Sequence, residues 1–393
     1  MQRLKGEFIA RRVLLKRRAK SSRRPVIAIY VEFNFSTAIG RNTTYNPARA
    51  VTNKNAFLIV DSSSSDTTTQ GAHRWQLKAY IDDEGVVQID KGTDGTTTGA
   101  CSYWIVSCDE GEFEVETRQL TLSSAETSST LNLNTPVDPL YTMVIGSRNM
   151  GGTVGTTLHH SAFCTFELTD SNTVTVTRGV TGTQSMQTNI QVIQWATWTG
   201  VQVYHGTDLI NTAIPNKTAY AHGAPDIDPE YTWLLTSTRH LTSGLEQCSV
   251  ASSLLDGSGT GSSTNIYHQR YDQATAYTSY VSWFMVRFPD ESIMIDNLPS
   301  DNSGTGTSQS IAATKLIEAA ESVFTFTNSC NGTGNAFARP KWISIGFTTA
   351  GIYVLNALCN RGYSGQASEH DSQIVEIGKF RPQNPTAMLG PVA

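Results

Sequence analysis

Four basic residues, Lys91, Arg178, Arg270 and Arg361, recur about 90 residues apart, and the sequence around each copies one pattern. A period of this size means one small supersecondary module used several times, which constrains the fold more than any single motif does. Each copy opens on an apolar run: Ala56-Phe57-Leu58-Ile59-Val60, Tyr141-Thr142-Met143-Val144-Ile145, Tyr231-Thr232-Trp233-Leu234-Leu235 and, more weakly, Val323-Phe324-Thr325-Phe326. A basic residue, a Gly/Thr/Ser-rich loop and a closing apolar strand then follow. The closing strands are Tyr103-Trp104-Ile105-Val106, Gln191-Val192-Ile193-Gln194-Trp195, Ser282-Trp283-Phe284-Met285-Val286 and Gln373-Ile374-Val375-Glu376-Ile377. Two junctions also match, Val137-Asp138-Pro139-Leu140-Tyr141-Thr142 and Ile227-Asp228-Pro229-Glu230-Tyr231-Thr232. The chain reads as four modules in tandem.

The 393 residues suit several domains rather than one, and each module has about the size of an immunoglobulin-like sandwich. With 39% hydrophobic and only 16% charged residues, each module buries one modest core beneath a hydroxyl-rich surface. The expected fold is all-β: tandem immunoglobulin-like β-sandwich modules preceded by a basic, helical N-terminal arm. A basic arm and connector cover 1–54, β-modules cover 55–135, 136–225 and 226–305, a helix plus a fourth β-module covers 306–380, and a Pro-rich tail covers 381–393.

Charge is divided unevenly. Residues 1–24 hold ten Lys/Arg (Arg3, Lys5, Arg11, Arg12, Lys16, Arg17, Arg18, Lys20, Arg23 and Arg24) against one acid, Glu7. The remaining 19 basic and 33 acidic groups leave the body near −14 and the arm near +9. Such a split suits an anionic partner at the arm, an acidic protein groove or nucleic acid; a merely solvated basic tail is the plain alternative. The Arg-rich start has the composition of a mitochondrial transit peptide, but the arm is expected to be retained. The longest apolar run, residues 26–31, is too short to span a membrane or to serve as a secretory core, so no membrane partner is expected.

Local patterning predicts a helix in the arm ended by Pro25, a strand over 26–35, a connector over 36–54, and one hairpin per module. The hairpins turn at 82–85, 169–172, 256–263 and 348–351. The alternation Thr173-Val174-Thr175-Val176-Thr177 predicts Val inward and Thr outward. Residues 311–321 (IAATKLIEAAE), rich in Ala, Leu, Lys and Glu, predict the best helix outside the arm, after a polar linker at 300–310.

Chemistry-bearing motifs are sparse. His159-His160 precede a strand, where neighbours point to opposite faces and do not chelate together. Glu369-His370-Asp371 has acid–base residues in an expected loop with no nucleophile at hand. Asp138, Asp226, Asp228 and Glu230 at module junctions suit calcium or, more simply, Asx turns. The six cysteines (Cys101, Cys108, Cys164, Cys248, Cys330 and Cys359) have neither zinc nor disulfide-framework spacing and read as buried thiols. No metal, cofactor or catalytic residue is expected. Lys91, Arg178, Arg270 and Arg361 read as structural anchors that cap carbonyls or pair with an acid of a neighbouring module. Trp75, Trp104, Trp195, Trp233, Trp283 and Trp342 read as core, and Trp198 as an exposed contact on the face of the strand opposite Trp195.

The run from Thr173 to Trp195, and then Ile352 to Ile377, resembles the β-repeats of structural proteins of tailed bacteriophages. The third module departs from the pattern, lacking a Val/Thr alternation before Arg270. What the resemblance implies is a non-catalytic virion component, made in the host cytoplasm, that assembles with other virion proteins and as a homo-oligomer at the neck, tail, fibre or capsid surface. A receptor- or glycan-binding adhesin is the alternative of a different class.

Overall fold

The structure, a computed structural model, describes residues 29–36, 42–64, 76–92, 99–109, 111–150, 159–211, 216–225, 227–241, 250–256, 258–270, 278–289, 292–303, 308–330, 343–360 and 368–379. The arm and the C-terminal tail therefore lie outside the described residues, as do Arg361, Trp75, Trp342, Asp226 and Cys248.

The first six strands are β1 (Ile29–Ser36), β2 (Thr43–Tyr45), β3 (Ala56–Ser64), β4 (Lys78–Ile81), β5 (Val87–Asp90) and β6 (Gly99–Cys108). They form two antiparallel sheets ordered β1-β6-β3 and β2-β5-β4. Naming the six positions a to f, one sheet is a-f-c and the other b-e-d. The same order then recurs three times. Unit 2 is β7 (Phe113–Leu122), β8 (Ser128–Asn132), β9 (Thr142–Met150), β10 (Cys164–Asp170), β11 (Thr173–Arg178) and β12 (Met186–Trp195). Unit 3 is β13 (Gln202–Ile210), β14 (Thr218–Ala221), β15 (Thr232–His240), β16 (Ala251–Ser253), β17 (Asn265–Gln269) and β18 (Ser279–Arg287). Unit 4 is β19 (Ile295–Ser303), β20 (Ser308–Ala312), β21 (Val323–Cys330), β22 (Ile343–Ala350), β23 (Tyr353–Asn360) and β24 (Ser368–Val375). All eight sheets have three strands.

These units begin at position a, so the starts expected at 55, 136, 226 and 306 fall elsewhere. The runs that opened each copy are position c, and the two strands before them belong to the same unit. The expected connector over 36–54 accordingly contains β2, paired with β5 through Thr43, Thr44 and Tyr45.

The helix expected over 311–321 is absent. Residues 308–312 form β20 against β23, and only 319–321 make a single 3-10 turn. The reason is competition for backbone donors. The N–H groups of Thr314 and Lys315 bond the carboxylate of Asp296, at 2.6 and 3.1 Å, rather than helical carbonyls. The N–H of Glu318 bonds Glu376 Oε1, and that of Ala319 bonds the Ile352 carbonyl. With those donors taken, tertiary pairing overrides propensity.

Before each strand c the chain makes the same turn. The Thr142, Thr232 and Ser322 hydroxyls each donate to the carbonyl four residues back, at Asp138, Asp228 and Glu318, all at 2.7 Å. In unit 1 the corresponding turn closes from Asn55 N–H to the Thr52 carbonyl.

Strand f lies in the middle of its sheet and is buried on both faces. One face meets the unit's own b-e-d sheet: in unit 1, Cys101, Tyr103 and Ile105 pack with Ala79, Ile81, Val87 and Ile89. The other face of the sheet joins a core shared by all four units, which includes Phe57 and Trp104, Ile193, Phe284 and Phe324. That explains why the closing strands are near-continuous apolar runs rather than alternating ones.

The units touch in the same way at every joint. Strand d of one unit lies on strands c and f of the next: β4 on β9 and β12, β10 on β15 and β18, β16 on β21 and β24. The fourth joint returns to the start, with β22 of unit 4 on β3 and β6 of unit 1. Four head-to-tail joints thus close a ring with fourfold pseudosymmetry, the outcome when a heterologous contact comes round on itself.

Candidate functional site

The described anchor residues, Lys91, Arg178 and Arg270, sit at the end of strand e, where one unit meets the next. Lys91, Arg178 and Arg270 are 2%, 1% and 0% exposed. The Arg178 guanidinium donates to the carbonyls of Glu126 (2.7 Å), Gln184 (3.3 Å), Ser123 (2.6 Å) and Ser124 (2.8 Å), so it collects the loops at one end of unit 2. Burial pulls its pKa below the ordinary value, while Cys164 and Glu126 oppose that shift. The glycine after the anchor carries the joint. Gly179 lies so close to the backbone of His240, the last residue of β15, that no Cβ fits. Gly92, after Lys91, repeats this against Met150, the last residue of β9, with φ +76° and room for a Cβ only 2.5 Å from the carbonyl oxygen. Both the Lys91-Gly92 and the Arg178-Gly179 pairs are visible in the sequence.

Strands c and d are sheet edges, with backbone groups that need partners. The next unit supplies them from side chains. At the first joint Gln191 of β12 binds Leu58 of β3, accepting from its N–H and donating to its carbonyl, both at 2.8 Å. The Ser147 hydroxyl likewise accepts from Ala79 N–H and donates to Ala79 carbonyl, both at 2.9 Å, and Asn189 donates to the same carbonyl. At the second joint Ser237 and Ser282 satisfy the N–H and carbonyl of Phe166. At the third, Gln373 accepts from Leu234 N–H at 2.8 Å and donates to the Thr232 carbonyl at 3.1 Å. The position of Gln191 is therefore Gln373 in unit 4, but Phe284 in unit 3 and Trp104 in unit 1. Amide and aromatic joints alternate around the ring.

Where the c strands converge on the axis they leave a cavity of about 130 Å³, lined by residues 58–61, 144–147, 234–237 and Thr325, with Ala79, Phe166, Gln191 and Phe284. All four units contribute to it. Its mixed lining and size suit a few water molecules or a small solute. Among the described residues Asp61 is the one carboxylate in the lining.

Unit 3 holds a Ser–His–Asp relay that sequence reading missed, because its members come from three strands. Ser252 Oγ is 2.8 Å from His268 Nδ1, and His268 Nε2 is 2.9 Å from Asp208, which also accepts from the Trp283 indole at 2.9 Å. Ser252 is only 3% exposed, and the cavity beside it is about 10 Å³, room for about one water and no substrate. The arrangement acts as a buried polar clasp. Next to it, Lys217 of unit 3 bonds Asp371 of unit 4 at 2.6 Å, both side chains buried. Burial pushes the Asp371 carboxyl up, and the Lys217 ammonium opposes it.

The other candidates disperse. Trp198 stands on a 3-10 turn over Thr197–Thr199 beyond the end of β12, rather than on a strand face, and is half-buried. Trp104, Trp195, Trp233 and Trp283 are buried. His159-His160 begin a 3-10 turn, with side chains outside the described residues. Glu369, His370 and Asp371 lie within β24 rather than in a loop. Asp138 and Asp228 each accept the backbone N–H two residues on, the Asx-turn geometry. Among the described residues no group of His, Cys, Asp and Glu is arranged to hold a metal ion, and no helix is long and apolar enough to cross a membrane. Cys101, Cys108 and Cys164 are buried free thiols. Neither a family model nor a curated protein matches this chain.

Proposed function

We propose that this chain is a structural component of a tailed-phage particle, held to its neighbours by the basic arm. The observation that carries this reading is the division of charge, ten basic residues against one acid over 1–24 and an acidic body beyond. The arm engages an acidic protein groove or nucleic acid, and the body repels its like except where copies are brought into register. The body's chemistry is consistent with scaffolding: its relay and ion pair are sealed between strands, and side chains of the next unit cap backbone groups of edge strands at three joints. The paired antiparallel sheets of each unit support a sandwich of the immunoglobulin kind, with six strands rather than seven. Particle symmetry multiplies a weak arm contact through avidity.

Deleting residues 1–24 is expected to leave the body folded, by circular dichroism, while removing it from purified particles, by quantitative mass spectrometry. Incorporation at wild-type copy number would remove the arm from this account. Retention of arm-less protein on a glycan array would favour an adhesin.

A further inference from the structure

Three joints of the ring are crossed by the chain within a few residues, from Cys108 to Phe113, Trp195 to Gln202 and Arg287 to Ile295. The joint between units 4 and 1 is crossed by none. There β1 packs against the 3-10 turns Ala319–Glu321 and Ile377–Lys379. Ser102 takes the place of Asn189, Ser282 and Asp371, yet its buried hydroxyl has no partner, and neither does the buried Trp104 indole N–H. An aromatic contact crosses it, Trp104 of β6 and Phe347 of β22 at 5.7 Å between ring centroids. These two buried donors without acceptors weaken the joint, and no covalent linker offsets that loss.

We infer that this joint is a releasable seam, and that the two faces it frees dock on a second copy of this chain. β22 of one copy then lies on β3 and β6 of the other, the contact it makes at home. A head-to-tail contact closes a ring or links copies according to which molecule supplies the partner face, and exchange of an identical element is a low-cost route between the two. The occupant is a second copy because only that carries surfaces already matched to both freed faces. In dilute solution the tether favours the closed monomer; at the local concentrations of an assembly the exchanged form gains. The inference does not depend on the particle assignment.

Two full-length variants test it. Phe347→Asp spoils the β22 side and Trp104→Asp the β6 side, so neither variant alone can form the exchanged contact. Mixed at equal concentration they are expected to give a 1:1 heterodimer by light scattering and native mass spectrometry. A mixture that stays monomeric, with both variants keeping wild-type circular dichroism, overturns the inference, as does a variant that dimerises equally well alone. The wild-type protein gives an independent reading should a variant fail to fold. Amides of β22 are expected to exchange hydrogen at least about tenfold faster than those of β4 and β10, the equivalent strands at covalent joints. Equal or slower exchange at β22 overturns the inference too.

Discussion

Gln191 brackets the backbone of Leu58, accepting from its N–H and donating to its carbonyl, 133 positions apart in sequence and 2.8 Å apart in space. One amide side chain thus replaces the neighbouring strand that an edge residue lacks. Replacing Gln191 with Leu keeps the bulk and strands both groups of Leu58, so stability should fall by about 1–3 kcal/mol. Gln373→Leu should cost a similar amount at Leu234. Phe284→Leu, at the equivalent aromatic joint, should cost less than either, since no hydrogen bond is lost there. Urea unfolding midpoints of the three variants check the order.

Arg178 is expected to be less replaceable than its single charge suggests. Its guanidinium serves four carbonyls from two loops, so Arg178→Met should cost about 3 kcal/mol or more. Arg178→Lys keeps the charge but not the fork and should fall between. Thermal unfolding of both variants tests this; a Lys variant as stable as wild type would reduce the anchor to a charge.

Glycines at the joints separate backbone conformation from crowding. Gly92 and Gly111 both have positive φ, +76° and +79°, but only Gly92 lies against another strand's backbone. Gly111→Ala should cost about 1 kcal/mol, the conformational part alone. Gly92→Ala should cost clearly more, and Gly179→Ala should be destabilising at ordinary φ because the Cβ meets the His240 carbonyl. Denaturant titration of the three resolves the difference.

Alkali should loosen the core before it reaches the surface. Burial pushes the Cys108 thiol up to about 11 and raises Cys164 and Tyr103 as well. An unfolded thiol titrates at about 8.5, so Cys108 contributes fully below that pH and loses its contribution as pH rises toward about 11. On the acid side, burial depresses His205 and His222, whose contribution is present above about 6.5 and lost as pH falls through their folded values. Stability measured from pH 5 to 11 should therefore fall at both ends, and alkylation of Cys108 in the native protein at pH 8 should be slow.

Much of the strand content was legible because its signals are local. Thr173 to Thr177 alternate as a half-buried strand must, with Val174 and Val176 buried, and the closing runs announce strands covered on both faces. The helix misread at 311–321 failed for a reason no local window contains: Asp296 captures its donors from another strand. The ring and the relay of Ser252, His268 and Asp208 were hidden likewise, since each joins residues distant in sequence. One signal was available and unread. Positions 104, 191, 284 and 373 alternate aromatic and amide in aligned closing strands, a pattern no exposed face needs.

Small-angle X-ray scattering of the monomeric protein tests the closed ring most directly. A ring of four units predicts a single-peaked distance distribution and a radius of gyration near the about 21 Å of a compact chain of this length, raised modestly by its tails. A long, skewed distribution of the kind given by four beads in a row would contradict it.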